Sequence, residues 1–291
     1  MTPEAASLWV IGDAHGEPAK VRALLFRAGL LNRSGYWSAG AATLVFIGDY
    51  VDRGPDGIGM IELVMRLEVE AQRSGGEVIA LLGNHEPLLL AARRFGSTWR
   101  DAKRRTFYER WLNNRGRAQD MMHLATRHVD WISARPAVAR VGSYLFVHAD
   151  TTTYLKYGRD VNGTNDAIRA AMQSEEGDVW DALLRDVSDR FAFQKIDGAE
   201  RAVELLRAYG GERVVHGHTP IPYVLQVAAE TVRSPLLYAS GKVLNVDGGL
   251  AYHPDAGFMV RLGLAGVERV VTVRRDEPAA GDTNDAASRS G

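Results

Sequence analysis

Asp13 and His15 in GDAHG, Asp49, Asp52 and Arg53 in GDYVDRG, Asn84 and His85 in GNHE, His148 in VHAD and His218 in GHTP each stand just past a short apolar run. Asp13, His15, Asp49, Asn84, His148 and His218 offer six oxygen or nitrogen donors and no sulfur, a set suited to two borderline divalent cations. Asp49, central in the order, is the natural bridging carboxylate. Two cations about 3.5–4 Å apart would lower the pKa of a shared water and clamp phosphoryl oxygens through an in-line displacement. Two dications against two carboxylates leave a positive site, which favours a phosphate ester over a neutral one. Singly, each residue has a plainer reading: a His at a strand end is usually a hydrogen-bonded structural group, and an Asp between strand and helix is usually an N-cap. The conjunction selects the metal reading.

The elements around these residues have an α/β rhythm. Residues 7–11, 43–47 and 77–82 are short apolar runs that each end in glycine, as strands buried on both faces do. Ligands in open α/β sheets bind beyond the carboxyl ends of the strands, where these side chains fall. Residues 20–30 carry Val21, Leu24, Leu25 and Ala28 at helical spacing, with Gly29 as a stop, and residues 58–73 turn Ile61, Val64, Met65 and Leu67 inward. The nearly even spacing of Asp13, Asp49 and Asn84 suits successive strand-helix-strand units.

Residues 87–136 interrupt this rhythm with helices expected at 88–94, 99–112 and 119–132, placed where a lid or specificity cap would sit. Between Trp99 and Arg117 there are seven Lys or Arg against Asp101 and Glu109; a solvated face is the plain reading, attraction of an anionic substrate the sharper one. A fourth strand, 143–147, ends at His148, followed by loop and helix over 151–194, a helix over 199–209 and a strand over 213–215. Strand-like pieces at 223–227, 242–246, 258–262 and 267–273 are expected to form a second, largely antiparallel sheet. The whole reads as a single domain over 1–273, with 87–136 inserted and a disordered, solvated tail over 274–291.

The 291 residues are 46% hydrophobic and 24% charged with a formal net charge of -1, ordinary composition that argues against a nucleic-acid or membrane coat. Zero cysteines exclude disulfides, thiolate metal sites and cysteine nucleophiles. No basic leader and no apolar run of membrane-spanning length is visible, so the expected location is cytoplasmic.

GDAHG, GDYVDRG, GNHE, the His148 of VHAD and the His218 of GHTP together resemble the calcineurin-like metallophosphoesterases, and GDYVDRG with GNHE resembles their phosphoprotein-phosphatase branch. The Gly-rich, Trp-containing link before GDYVDRG and the helical insertion after GNHE are similar to the Shewanella-like phosphatases. The resemblance implies a four-layer αββα sandwich, two sheets face to face with helices outside. It implies that Asp13 and His15 bind one metal, that Asp49 bridges, and that Asn84, His148 and His218 bind the other. It makes His85 the general acid, held cationic by Asp52, and Arg53 the phosphate grip. A cation beside the leaving group is also what alkoxide departure at neutral pH needs.

Several positions depart from the family pattern. Pro220 stands where many members have a second histidine, His216 falls outside the ligand position, and Ala149-Asp150 replaces the usual glycine, with Asp150 a candidate support. The second phosphate-binding arginine is Arg185 or Arg190, Arg185 slightly ahead, and His253 is expected to be structural. The resulting expectation is a phosphatase of phosphomonoesters, phosphoprotein on Ser/Thr or Tyr first, acting through a hydroxide that bridges two divalent metal ions. The metals are expected to be manganese, with iron or zinc as alternatives. Substrate partners are a phosphorylated protein or a small phosphate ester, without nucleic acid or membrane. The alternatives are a dinucleoside polyphosphate hydrolase and a non-catalytic scaffold.

Overall fold

The computed structural model describes residues 7–273; the tail expected at 274–291 lies outside them. Strand β1 (Leu8–Ile11) leads through the first motif into helix α1 (Pro18–Ala28). Gly29 ends that helix in the left-handed region at φ 81°, so the expected stop is where the chain turns. Strand β2 (Thr43–Phe46), helix α2 (Gly57–Arg73) and strand β3 (Glu77–Ala80) follow. Asp56 caps α2 by accepting from the Gly59 amide, and Ile61, Val64 and Leu67 face the core. Met65 is only half-buried.

Helix α3 (His85–Phe95) starts on the third motif itself. The helix expected over 99–112 is shorter: only α4 (Phe107–Asn113) forms. Asp101 Oδ1 accepts from the amides of Lys103 and Arg105 at 2.9 and 2.8 Å, holding a turn, and a Thr106/Glu109 capping box then starts the helix afresh. The helix expected over 119–132 is broken into α5 (Ala118–His123) and α6 (Thr126–Ser133), because the Ala125 amide donates to His128 Nδ1 rather than continuing the first helix.

The second half runs β4 (Val138–Val141), β5 (Tyr144–Val147), α7 (Val161–Gln173), α8 (Gly177–Val187), α9 (Gly198–Tyr209) and β6 (Arg213–His216). It continues with α10 (Ile221–Leu225), β7 (Leu236–Tyr238), β8 (Val243–Asn245), β9 (Phe258–Gly263) and β10 (Gly266–Thr272). Strands β4 and β7 are additions to the sequence expectation. The strand expected at 223–227 is instead the helical turn α10, whose start is set by prolines with helix-compatible φ at 220 and 222.

Two five-stranded sheets result, ordered β10-β9-β1-β2-β3 and β4-β5-β6-β8-β7. The expected second, largely antiparallel sheet does not form. Strands β9 and β10 add antiparallel to β1 in the first sheet, while β8 pairs parallel with β6 in the second. Each sheet therefore has three adjacent parallel strands: β1, β2 and β3 at one end of the first sheet, with β9 and β10 added antiparallel beside β1, and β5, β6 and β8 at the centre of the second, flanked by antiparallel β4 and β7.

Side-chain alternation stacks the layers. Val10, Val45, Phe146 and Val215 join one apolar cluster, whereas their neighbours Ile11, Leu44, Leu145 and Val214 join another that includes Leu24 and Leu67 of the helices. A period-two strand with both faces apolar must be covered on both sides, so sheet meets sheet within and helices close the outside. The αββα sandwich follows from that burial. No helix among the described residues is long and apolar enough to cross a membrane.

Candidate metal centre

The loops leaving β1, β2, β3, β5 and β6 at their carboxyl ends bring the motif residues together. Their approach is close enough to need glycine: a Cβ at Gly83 would lie 2.1 Å from Asp49 Oδ1, and one at Gly217 would lie 2.2 Å from Asp13 Oδ1. His15, Asp49, Asp52, Arg53 and His218 all have positive φ, between 36° and 68°. Left-handed backbone at non-glycine residues costs about 1–3 kcal/mol each and persists where surrounding contacts over-determine it, characteristically at functional sites.

Asp49 sits at the centre. Its Oδ2 is 3.5 Å from His15 Nε2 and 3.8 Å from His85 Nε2, and its Oδ1 is 3.4 Å from His148 Nε2. Two ligand clusters, His15/Asp49/His85 and Asp49/His148/His218, thus share this carboxylate, with donor atoms inside 4.8 Å in each. Asn84 Oδ1 joins at 3.0 Å from His148 Nε2. Asp13 joins the other side, its Oδ2 3.8 Å from His15 Nε2 and its Oδ1 accepting the His218 amide at 3.0 Å.

Hydrogen bonds orient the imidazoles. Nδ1 of His15 faces the Val51 carbonyl at 3.0 Å and Nδ1 of His148 faces that of Ile47 at 2.9 Å. A carbonyl accepts only from N–H, so both rings present an Nε2 lone pair inward. His218 turns Nε2 toward the Ser188 carbonyl at 3.2 Å, which reserves Nδ1.

Burial lowers the pKa of His15, His148 and His218, most strongly for His15 and His218, and keeps them neutral as metal ligation requires. Asp49 is the opposite case: burial would raise it, but the surrounding imidazoles of His148, His85, His15 and His218 hold it well below the usual carboxylate range. Burial, with Asp247 and Asp49 nearby, raises Asp13, and burial pushes Asp247 up to about 6. Asp247 Oδ2 is buried without a hydrogen-bond partner. Crowded buried carboxylates, one of them with an orphaned oxygen, beside neutral imidazoles form a donor set that fits divalent cations.

A second constellation adjoins the first. His85 Nδ1 is 2.6 Å from Asp52 Oδ2, and Trp111 Nε1 donates to Asp52 Oδ1 at 2.8 Å. Burial would lower His85, but the Asp49 charge and the Asp52 bond outweigh it, so its pKa is raised and the cation is favoured. Arg53 reaches both sides, bonding His15 Nε2 through one guanidinium nitrogen and lying 3.4 Å from His85 Nε2 through the other. Asp120 accepts the Asp52 amide at 3.3 Å and the Gly57 amide at 3.1 Å.

Sequence reasoning missed three supports. Trp111 and Asp120 come from the insertion, and nothing in their spacing marks them. Glu86 could have been found as the acid inside GNHE. Fully buried, it accepts from the amides of Asp49, Tyr50 and Gly83 at 3.1, 2.7 and 3.0 Å and so ties the second and third motif loops together; burial pushes its pKa up to about 8.

Asp150 holds the fifth-motif loop, accepting from Thr219 Oγ1 at 2.7 Å and the Phe191 amide at 2.9 Å. His216 bonds the Tyr238 hydroxyl and the Gly217 carbonyl, each at 2.8 Å, away from the ligand clusters. His253 lies at the surface near Glu230. Arg185 is tied to Asp181, Nε to carbonyl 3.4 Å, whereas it is the charge of Arg190 that adds to the depression of His148 and His218. Arg185 and Arg190 both line the cleft that Asn84 also borders.

Residues 6–222 match the calcineurin-like phosphoesterase family. The chain is 38% identical to Shewanella-like protein phosphatase 2 of Arabidopsis thaliana over 79 residues, 27% of this chain and 20% of that one. It is 29% identical to the symmetrical bis(5'-nucleosyl)-tetraphosphatase of Bordetella parapertussis over 210 residues, 72% of this chain and 62% of that one. The chain thus spans less than two thirds of either relative. Its fold is similar to the crystal structure of the cold-active protein-tyrosine phosphatase of a psychrophilic Shewanella species, with a TM-score of 0.69 at 17% identity over 93% of this chain and 81% of that one.

Proposed function

This chain belongs to the calcineurin-like phosphoesterase family, and from that premise we propose that it is a metal-dependent phosphatase of phosphomonoesters, with phosphoprotein as its substrate class. The observation that carries the reading is the pair of clusters, His15/Asp49/His85 and Asp49/His148/His218, that share Asp49, with His85 of the first bonded to Asp52. Asp13, His15 and Asp49 would hold one cation, and Asp49, Asn84, His148 and His218 the other; manganese, iron and zinc all suit such donors. When bound, the metal pair supplies Lewis acidity toward phosphoryl oxygens and a water of lowered pKa.

The remaining work falls to side chains. Arg53 spans His15 and His85 and can close a guanidinium fork on two phosphate oxygens. Arg190 supplies a second cation from the His218 side. His85 Nε2 holds the proton for the departing alkoxide, and Asp52 stabilises the imidazolium while fixing the ring. Trp111 in turn saturates the other Asp52 oxygen, so a residue of the insertion sets the geometry of proton donation. The domain is taken to run through residue 273, with 87–136 as its inserted cap.

A second reading, hydrolysis of a dinucleoside polyphosphate, is favoured by the Bordetella relative named as a tetraphosphatase, whose match covers most of this chain. A scaffold without chemistry is disfavoured because none of the six ligand positions is missing. Metal-reconstituted protein assayed on a phosphopeptide, an aryl phosphate and a dinucleoside tetraphosphate separates these. The phosphopeptide is expected to have the highest kcat/KM. Dominance of the tetraphosphate would install the second reading, and no turnover with no bound metal would remove both.

A further inference from the structure

A groove of about 440 Å³ opens beside the candidate metal centre, within the range of about 300–1,000 Å³ usual for ligand clefts. Asn84, whose Oδ1 lies 3.0 Å from His148 Nε2, forms part of its wall, so the groove is continuous with the centre. Arg105 and Arg110 line it from the insertion, and Arg185 and Arg190 from the end of α8 and just beyond. Two unconnected stretches of chain thus converge four guanidinium-bearing residues on one cleft.

These charges are only partly neutralised. Arg110 pairs with Asp181 at 2.6 Å, and Arg185 shares that same carboxylate at 3.5 Å. Arg105 pairs with Asp101 at 2.8 Å. Asp189, which also lines the groove, accepts the Thr151 hydroxyl at 2.6 Å. Arg190 has no carboxylate in ion-pair range among the described residues, and neither do Lys103 and Arg104 in the loop that delivers Arg105. Exposed pairs such as Arg105 with Asp101 are worth about 0.2–1 kcal/mol and exchange readily for carboxylates of an incoming ligand.

Resting on the phosphatase reading, we propose that this groove is an anion subsite that selects phosphoproteins carrying acidic residues beside the phosphorylated one. Guanidinium forks match carboxylates two-pronged. The lining includes no aromatic ring on which a nucleobase could stack, while Leu88 and Leu184 give an apolar floor suited to an extended peptide. A peptide whose phosphate sits at the metal centre would lay its neighbouring residues past Asn84 into the groove.

The test uses matched phosphopeptides with flanking Asp or flanking Ala, the full chain, and the charge reversal Arg185→Glu, a mostly exposed side chain. Fluorescence anisotropy with non-hydrolysable phosphonate analogues of the two peptides on the metal-loaded chain reads the groove as the difference between them. The Asp-flanked peptide is expected to bind about fivefold tighter than the Ala-flanked one, from pair energies of this size. The difference should shrink with added salt and vanish in Arg185→Glu. On metal-loaded protein the same ratio should show in kcat/KM, through KM. Equal binding of both peptides overturns the subsite, even if aryl phosphate is hydrolysed normally. Preferential binding without any hydrolysis of peptide or aryl phosphate leaves the subsite standing and removes the phosphatase reading. A dinucleoside tetraphosphate that outcompetes both peptides and loses affinity in Arg185→Glu overturns the peptide assignment.

Discussion

Asp49 accepts the His85 amide at 3.0 Å and lies 3.8 Å from that ring's Nε2, yet the two side chains have separable jobs, and the separation can be measured. Asp49 belongs to both ligand clusters, so Asp49→Asn, which keeps the shape and removes the charge, is expected to lose metal and activity together. His85 is held by Asp52 through Nδ1, and in the proposed reaction its Nε2 would meet the leaving group. His85→Asn is therefore expected to slow turnover about 10²–10⁴-fold, the usual worth of a general acid, with metal content by elemental analysis near that of the parent. Loss of both metals from that variant would move His85 into the ligand set, a role its place in the His15/Asp49 cluster keeps in view.

At the scale of elements, the short helix α4 matters more than its length suggests. Its turn-and-cap start at Thr106 directs Trp111 inward, where the indole is fully buried and bonds Asp52. A hydrogen bond to a charged group contributes about 1.5–3 kcal/mol. Trp111→Phe, which keeps most of the packing, is expected to lower kcat about tenfold or more with little change in KM, about 1.4 kcal/mol per factor of ten. Equal losses in kcat for phosphate esters with good and poor leaving groups would contradict this, because a good leaving group needs no proton. The insertion thus supports the chemistry from beneath, through Trp111 and Asp120, as well as lining the groove with Arg105 and Arg110.

The molecule as a whole is two sheets whose parallel strands aim their carboxyl ends at one place. Because the ligands come from loops of both sheets, cations that bind there join the two halves of the sandwich and favour the folded chain. Chelation is expected to lower the thermal midpoint reversibly, with stabilisation on metal addition following RT ln(1 + [metal]/Kd), about 2.7 kcal/mol at a hundredfold excess over Kd. A midpoint indifferent to chelator and metal would contradict a centre that spans the sheets.

What could be read without coordinates was local. Strand, glycine and polar residue recur because a buried strand must be apolar and a close-packed loop must begin with glycine, so the motifs, their side of the sheet and the αβ rhythm were legible. The helix stop at Gly29 is equally short-range. Sheet membership of β8, β9 and β10 was not legible, since short runs rich in Val and Leu satisfy a parallel or an antiparallel neighbour alike, and only the uncovered edge of β1 decided that β9 belongs beside it. The conversion of 223–227 from strand to helical turn has the same origin. Residue types and spacing decided which groups could do chemistry; contacts between residues far apart in sequence, such as Trp111 with Asp52, decided which of them are held in place to do it.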